Sequence, residues 1–277
     1  MNKLNTIHLH TRYSDGLNDA YEYIEEAIKQ GLSSIGISDH SPVPLKSSWA
    51  MKKEDLPRYI EELNYLKKIY GKNINIYTGM ELDYIQGLDV KGYIDFDELD
   101  LDYYIGSVHY IYSELIDGYG TADNTQDMVE KLLNEGFNGD SLAFYTRYYQ
   151  TVREMIKEYN PILIAHFDVL EKRNIKKILF DPESEGYKVQ VEMSLDLIKE
   201  SCVEVNTGAM AKDIDVLYPS EYILKRCIEK NISVSINSDC HFISGLSFAY
   251  EKAIHLLKKT GFNYVHVFDG VMKKVKI

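Results

Sequence analysis

Little in this chain would staple it, anchor it in a bilayer or charge it for nucleic acid. Its three cysteines, Cys202, Cys227 and Cys240, are odd in number, widely spaced and without a Cys-x-x-Cys pair. That excludes a disulfide framework and a thiolate zinc site, and leaves reduced thiols. No run approaches the roughly 18 to 20 consecutive apolar residues a membrane-spanning helix needs. The start, MNKLNTIHLH, passes from a few polar residues straight into an alternating, strand-like segment with no signal-peptide core. A cytoplasmic location is the expectation. Basic charge is also in short supply: 31 Lys and Arg face 43 Asp and Glu, for a net charge of −12. A general phosphate-tracking surface is therefore absent, and nucleic acid and anionic membrane are disfavoured as partners. Linkers, internal repeats and low-complexity tracts are missing too.

What remains is an ordinary globular composition, 45% hydrophobic and 27% charged over 277 residues, long enough to bury a large core. Residues 1–277 are expected to form one domain. The 23 tyrosines scatter through the chain, often at helical spacing (Tyr145, Tyr148, Tyr149, Tyr159), and read as packing. Seven short segments rich in β-branched or aromatic residues read as strands: Thr6–His10, Ser34–Ser38, Asn75–Gly79, Tyr103–Val108, Ile162–Ala165, Val203–Asn206 and Ser233–Asn237. Helical periodicity fills most intervals, as in Tyr21, Ile24 and Ile28 before Gly31, and Ile223, Leu224, Cys227 and Ile228 before Asn231. The longest interval, 110–161, carries helical patterns at 123–135 and 141–159. Alternating strand and helix argues for βαβ units and a parallel sheet, doubly wound or closed into a barrel.

The histidines then become informative. Six of the eight, His8, His10, His40, His109, His166 and His241, lie in or just beyond the carboxyl ends of these strands. Glu81 and Asp239 join them, and Asp15 sits in the loop after the first strand. Strand ends of a barrel share one mouth, so residues remote in sequence form one cluster. His8 and His10, two apart on an extended backbone, face the same side, and Asp239 and His241 repeat that spacing. A single histidine after an apolar strand is usually structural. Nine imidazoles and carboxylates at one mouth would instead be costly without a cation. Imidazole and carboxylate without thiolate suit zinc, manganese or iron.

These residues carry a resemblance. His8-Leu-His10-Thr-Arg-Tyr-Ser-Asp15-Gly, Ser-Asp39-His40, Gly-Met-Glu81, Gly-Ser-Val-His109, Ala-His166-Phe-Asp168 and Asn-Ser-Asp239-Cys-His241 resemble, in order and spacing, the polymerase and histidinol phosphatase (PHP) superfamily. Glu204-Val-Asn-Thr-Gly and Leu217-Tyr-Pro-Ser220 resemble its monofunctional phosphatases. The resemblance spans residues 6 to about 268. It implies a distorted (β/α)7 TIM-like barrel with the metal site at the carboxyl ends of its strands, holding two to three divalent ions. By that pattern His8, His10, Glu81 and Asp239 hold a first metal, and Glu81 bridges to a second held by His109 and His166. Asp15, His40 and His241 hold the third, although some members place a histidine where this chain has Gly16. Glu81, Asp239 and His241 are expected to carry the catalysis. Asp39, Asp168 and Asn206 suit the orientation of imidazoles by hydrogen bonding.

The resemblance further implies a metal-dependent phosphomonoesterase, with L-histidinol phosphate as the expected substrate and histidine biosynthesis as its setting. Arg12, Lys172, Arg173 and Lys212 are the expected phosphate-binding cations. Here the chain departs from its relatives: Ala211 stands where many have an arginine, and Glu171 stands where a basic residue is common, with Lys172 and Arg173 displaced by one and two. That departure keeps open another small phosphate ester or a nucleotide as substrate. A non-catalytic metal-binding module is the reading from a different class. Asp168, Glu171 or Asp213 could meet the amine and imidazole of histidinol.

Overall fold

Short apolar segments bounded by loops, several of them leading into amphipathic helices, build two parallel sheets in the computed structural model, which describes residues 4–277. Strands β1 (Ser34–Ile37) and β2 (Asn75–Thr78) pair in parallel. Strands β3 (Glu81–Asp83) and β4 (Ile105–Ser107) begin a second parallel sheet; β5 (Tyr110–Ser113) and β6 (Gly118–Thr121) form an antiparallel hairpin beside it. The second sheet continues through β7 (Leu163–Ile164), β8 (Cys202–Asn206) and β9 (Val234–Asn237), in the order β3-β4-β7-β8-β9. The first expected strand, Thr6–His10, makes only single parallel bridges, Thr6 to Ile35 and Leu9 to Cys240, and His40 bridges to Glu81. The regular ladders thus stop short of a closed barrel, and the architecture is mixed α/β with parallel strands.

Helices cover the sheet where periodicity placed them. Ala20–Gln30 ends on Gly31 at φ 71°, and Ser141–Tyr159 ends on Asn160 at φ 44°, the left-handed closure expected after a last turn. Asp140 accepts from the Ala143 backbone N–H and caps the latter helix. The hairpin β5–β6 in the interval 110–161 was not expected. Its Asp117-Gly118 turn between Tyr-Ile-Tyr-Ser and Gly-Tyr-Gly-Thr is a readable hairpin signal. A final antiparallel pair, β10 (Tyr264–Phe268) and β11 (Met272–Lys276), closes the chain.

One apolar cluster runs from Leu4 to Val267 and takes in Tyr23, Tyr59, Tyr148, Tyr149, Tyr187, Tyr218 and Tyr250. Tyr145, Tyr148, Tyr149 and Tyr159 are packing residues of this cluster, as their spacing suggested. Tyr103 shows how closely the strands are set. Its hydroxyl donates to the Ile7 carbonyl at 2.7 Å, and a Cβ at Gly79 would lie 2.1 Å from its ring. Only glycine lets that ring lie across the strands leading to the site. Cys202, Cys227 and Cys240 are all buried and unbridged. Burial pushes each thiol up to about 12, and among the described residues none joins a group of side chains placed to hold a metal. Among the described residues no helix is long and apolar enough to cross a membrane.

Candidate metal centre

Histidines 8 and 10 are both buried, on the same side of an extended backbone. The His8 Nε2 lies 3.2 Å from Glu81 Oε2 and 3.6 Å from Asp239 Oδ1. The His10 Nε2 lies 3.4 Å and 3.1 Å from the same two oxygens. The other Glu81 oxygen, Oε1, faces His166 Nε2 at 3.2 Å and His109 Nε2 at 3.8 Å. A third group gathers at Asp15, with His241 Nε2 at 3.3 Å and His10 Nδ1 and His40 Nε2 each at 3.9 Å. All nine residues expected at the mouth therefore come together. A Cβ at Gly16 would sit 2.1 Å from the His10 carbonyl oxygen, so Asp15 is the residue that this loop can present.

These side chains fit divalent cations. His8 Nε2, His10 Nδ1, His40 Nδ1, Asp15 Oδ1 and Glu81 Oε2 are buried with no hydrogen-bond partner among the described residues, an arrangement that calls for a missing ligand. Three groups drawn from these residues, His8/His10/Asp239, His8/Glu81/His166 and His10/Asp15/His40/His241, each bring their donor atoms within 4.8 Å of one another. A fourth such group, His40/Asp83/His109, includes a carboxylate not anticipated from sequence. Backbone strain collects here as well: His166 at φ 26° and Asp239 at φ 45° sit in the left-handed region without being glycine.

Supporting carboxylates set the imidazoles. Glu204, fully buried on β8, accepts from His8 Nδ1 at 2.7 Å, the His166 backbone N–H at 2.8 Å and Asn206 Nδ2 at 2.9 Å. Asp83 accepts from His109 Nδ1. Each directs the opposite nitrogen of its imidazole to the centre. Burial alone would lower the His8 and His109 pKa values. The carboxylates Glu204, Asp239 and Glu81 outweigh it and raise His8 well above the ordinary imidazole value, and Asp83 does most to raise His109 to about 10. His10 goes the other way, down to about 3, because burial acts together with the charges of His241 and His40. Asn206, expected to orient an imidazole, instead donates its amide to two carboxylates, Glu204 at 2.9 Å and Asp239 at 3.0 Å. Asp39 and Asp168 hold backbone instead of imidazole. Asp39 accepts from the N–H and hydroxyl of both Thr11 and Ser14, fixing the loop that carries Asp15. Asp168 accepts from the Ser220 N–H at 3.0 Å.

Above the cluster opens a cavity of about 280 Å³ lined by the expected ligand residues other than His8 and His10, together with Lys172, Arg173, Lys212, Asp123, Trp49 and Tyr218, among others. Three of the four expected cations line it. Arg12 does not: its Nε donates to the Leu17 carbonyl at 2.8 Å and its side chain, 61% exposed, reaches toward Asp19. That short local bond turns the guanidinium away from the mouth. Lys172 Nζ pairs with Asp123 Oδ2 at 2.5 Å, and Arg173 Nε donates to the Asp123 carbonyl at 3.1 Å. Asp123 was missed because it follows the unexpected hairpin. Glu204 and Asp83 were open to detection, as charged residues in apolar strands two positions from Asn206 and Glu81. Asp168, Glu171 and Asp213 are not among the residues lining the cavity.

A parallel α/β sheet whose strand ends gather imidazoles and carboxylates with unpartnered donor atoms defines the class as a metal-binding α/β protein. Residues 6–208 match the model of the PHP domain, and the chain belongs to that family. It is 30% identical over 263 residues to the histidinol-phosphatase of Bacillus subtilis, covering 88% of this chain and 96% of that protein. Among solved structures, histidinol phosphate phosphatase from Lactococcus lactis, complexed with zinc, L-histidinol and phosphate, superposes with a TM-score of 0.70 at 22% identity, over 98% of this chain and 99% of that one. The hisK structure from Listeria monocytogenes gives 0.78 at 22% identity, over 90% and 99%.

Proposed function

We propose that this chain is a metal-dependent phosphomonoesterase that hydrolyses L-histidinol phosphate to L-histidinol and phosphate. The observation that carries the reading is the division of Glu81: one carboxylate oxygen faces His8, His10 and His40 Nδ1, and the other faces His166 and His109. A carboxylate so divided suits two cations a few ångströms apart. Full-length similarity to histidinol-phosphatases supports the substrate. Asp15, His40 and His241 suit a third cation, and zinc, manganese and iron all suit these donors. When bound, such cations supply Lewis-acid charge for the phosphoryl oxygens and make water more acidic.

The chain's own residues do the rest. Glu204 and Asp83 hold His8 and His109 in the tautomers that aim Nε2 inward. Lys172, Arg173 and Lys212 line the cavity as cations for the phosphoryl oxygens. Their presence on the wall supports compensation for Ala211, so the histidinol phosphate reading is favoured over a nucleotide or another ester. The seven strand segments and the single bridges joining Leu9 to Cys240 and Thr6 to Ile35 support a distorted (β/α)7 barrel. Their continuous core supports one domain over 1–277. Phosphate release from L-histidinol phosphate, beside sugar phosphates, amino-alcohol phosphates and nucleotides, tests the reading on protein reconstituted separately with zinc, manganese and iron. A strong preference for histidinol phosphate is the expected outcome. Preference for another ester would make Ala211 the mark of a changed substrate, and silence across the panel with metal bound would favour a non-catalytic module.

A further inference from the structure

Apart from the metal-ligand cluster, the cavity is lined by two buried polar groups with no hydrogen-bond partner among the described residues, the Trp49 Nε1 and the Tyr218 hydroxyl. Tyr218 is 2% exposed and lines the cavity beside Lys172, Arg173 and Asp239. Its hydroxyl makes no hydrogen bond among the described residues. Buried hydroxyls left unpaired are expensive, and native proteins nearly always satisfy them with protein, water or ligand.

The backbone that carries the ring is also held in place. Asn206 N donates to the Tyr218 carbonyl at 2.8 Å, and Tyr218 N donates back to the Asn206 carbonyl at 3.3 Å. Asn206 in turn holds Asp239 through its side chain. The backbone that carries the phenol is therefore anchored to the end of β8, whose Asn206 side chain reaches Asp239. Tyr218 shares the cavity lining with the cations Lys172, Arg173 and Lys212 and with the ligand-cluster residues Asp239 and His241. A phenol is neutral at ordinary pH and carries one O–H to donate. In a cavity lined by those cations and ligand residues, the acceptor it lacks is an anionic oxygen.

We propose that Tyr218 donates a hydrogen bond to a non-bridging phosphoryl oxygen of the substrate. This rests on the reading of the cavity as a phosphomonoester site. The bond forms only when the phosphoryl group is present, and its donor is positioned in advance, so its worth is not spent on reorganisation. Binding and stability then move in opposite directions on substitution. Removing the hydroxyl deletes an unpaired buried group from the free protein and a charge-assisted bond from the complex.

The test is Tyr218→Phe, compared with wild type as zinc-loaded protein, with inorganic phosphate as the probe in isothermal titration calorimetry. Phosphate affinity is expected to fall roughly 10- to 100-fold. Zinc content should be unchanged, and the thermal midpoint without phosphate should stay equal or rise. Unchanged phosphate affinity at wild-type zinc content would overturn the proposal. So would loss of zinc or of thermal stability in proportion to lost phosphate binding, since Tyr218 would then support the fold or the ligands. Wild-type protein that binds phosphate but ignores histidinol phosphate would defeat the substrate reading alone. Failure of zinc-loaded wild type to bind phosphate would defeat both.

Discussion

Replacing Glu204 by glutamine tests how the metal centre is supported while changing almost no volume. Glu204 faces only donors: the His8 ring N–H, the His166 backbone N–H and the Asn206 amide. A glutamine has one acceptor oxygen and one NH2 group. If the oxygen keeps His166 and Asn206, the NH2 meets His8 Nδ1 and bonds well only when that nitrogen carries a lone pair. His8 then holds its proton on Nε2, the atom that points at Glu81 and Asp239. A protonated nitrogen is no ligand, so binding a cation requires either the wrong tautomer to revert or an N–H to face an N–H in a fully buried site. Losing such a supporting carboxylate costs about 10- to 100-fold in metal affinity, or about 1.4 to 2.8 kcal/mol. The assay is competition for zinc against a chromophoric chelator, read beside the phosphatase rate at saturating zinc. Weakened zinc binding, with activity partly restored by excess zinc, is expected. Wild-type zinc affinity in Glu204→Gln would refute the tautomer argument.

Other consequences follow from the same geometry. Arg173→Ala and Lys212→Ala should each raise KM for the phosphate ester, by roughly 10-fold or more where a charge-assisted bond is lost, while Arg12→Ala should leave steady-state kinetics unchanged; an Arg12 effect equal to that of Arg173 would contradict the placement of its side chain. Burial pushes the Glu171 carboxyl from 4.5 up to about 7 against hydrogen bonding from Asn174. The folded protein therefore binds this proton more tightly than the unfolded chain. The resulting stability is fully present below the ordinary carboxyl pKa and is lost as pH rises through 7. Urea titrations of Glu171→Gln should show a flatter profile between pH 5 and 8 than wild type, by about 2 kcal/mol, and parallel profiles would count against it. Gly79→Ala drives a methyl into Tyr103 and should lower stability by about 1 to 3 kcal/mol, read as a drop in thermal midpoint with near-normal activity in what stays folded.

Much of the centre was legible because it obeys simple periods. His8 and His10, and Asp239 and His241, each face one way because strand side chains alternate, and parallel strands deliver their ends to one place. The same alternation runs through Asp83 and Glu204, whose burial in apolar strands marks them as partners of imidazoles. Arg12 shows where reading by position stops: its loop lies at the mouth, yet a bond to the Leu17 carbonyl five residues on decides where the guanidinium goes. Asp123, Trp49 and Tyr218 reach the cavity along loop paths that no local pattern encodes. The ladder through Thr6–His10 was overestimated for a related reason. Alternating residues promise a strand, but pairing length depends on neighbours on both sides, and here it is reduced to single bridges.

The central claim is that cations held around Glu81 hydrolyse a phosphate ester. Metal analysis and phosphate release from L-histidinol phosphate, measured on the same preparations of wild type and Glu81→Ala before and after chelation, test it most directly. More than one divalent ion per wild-type chain is expected, with activity that disappears on chelation, returns on metal addition and is abolished in Glu81→Ala at any metal concentration. Turnover that survives complete removal of metal, or that Glu81→Ala retains, would contradict the account.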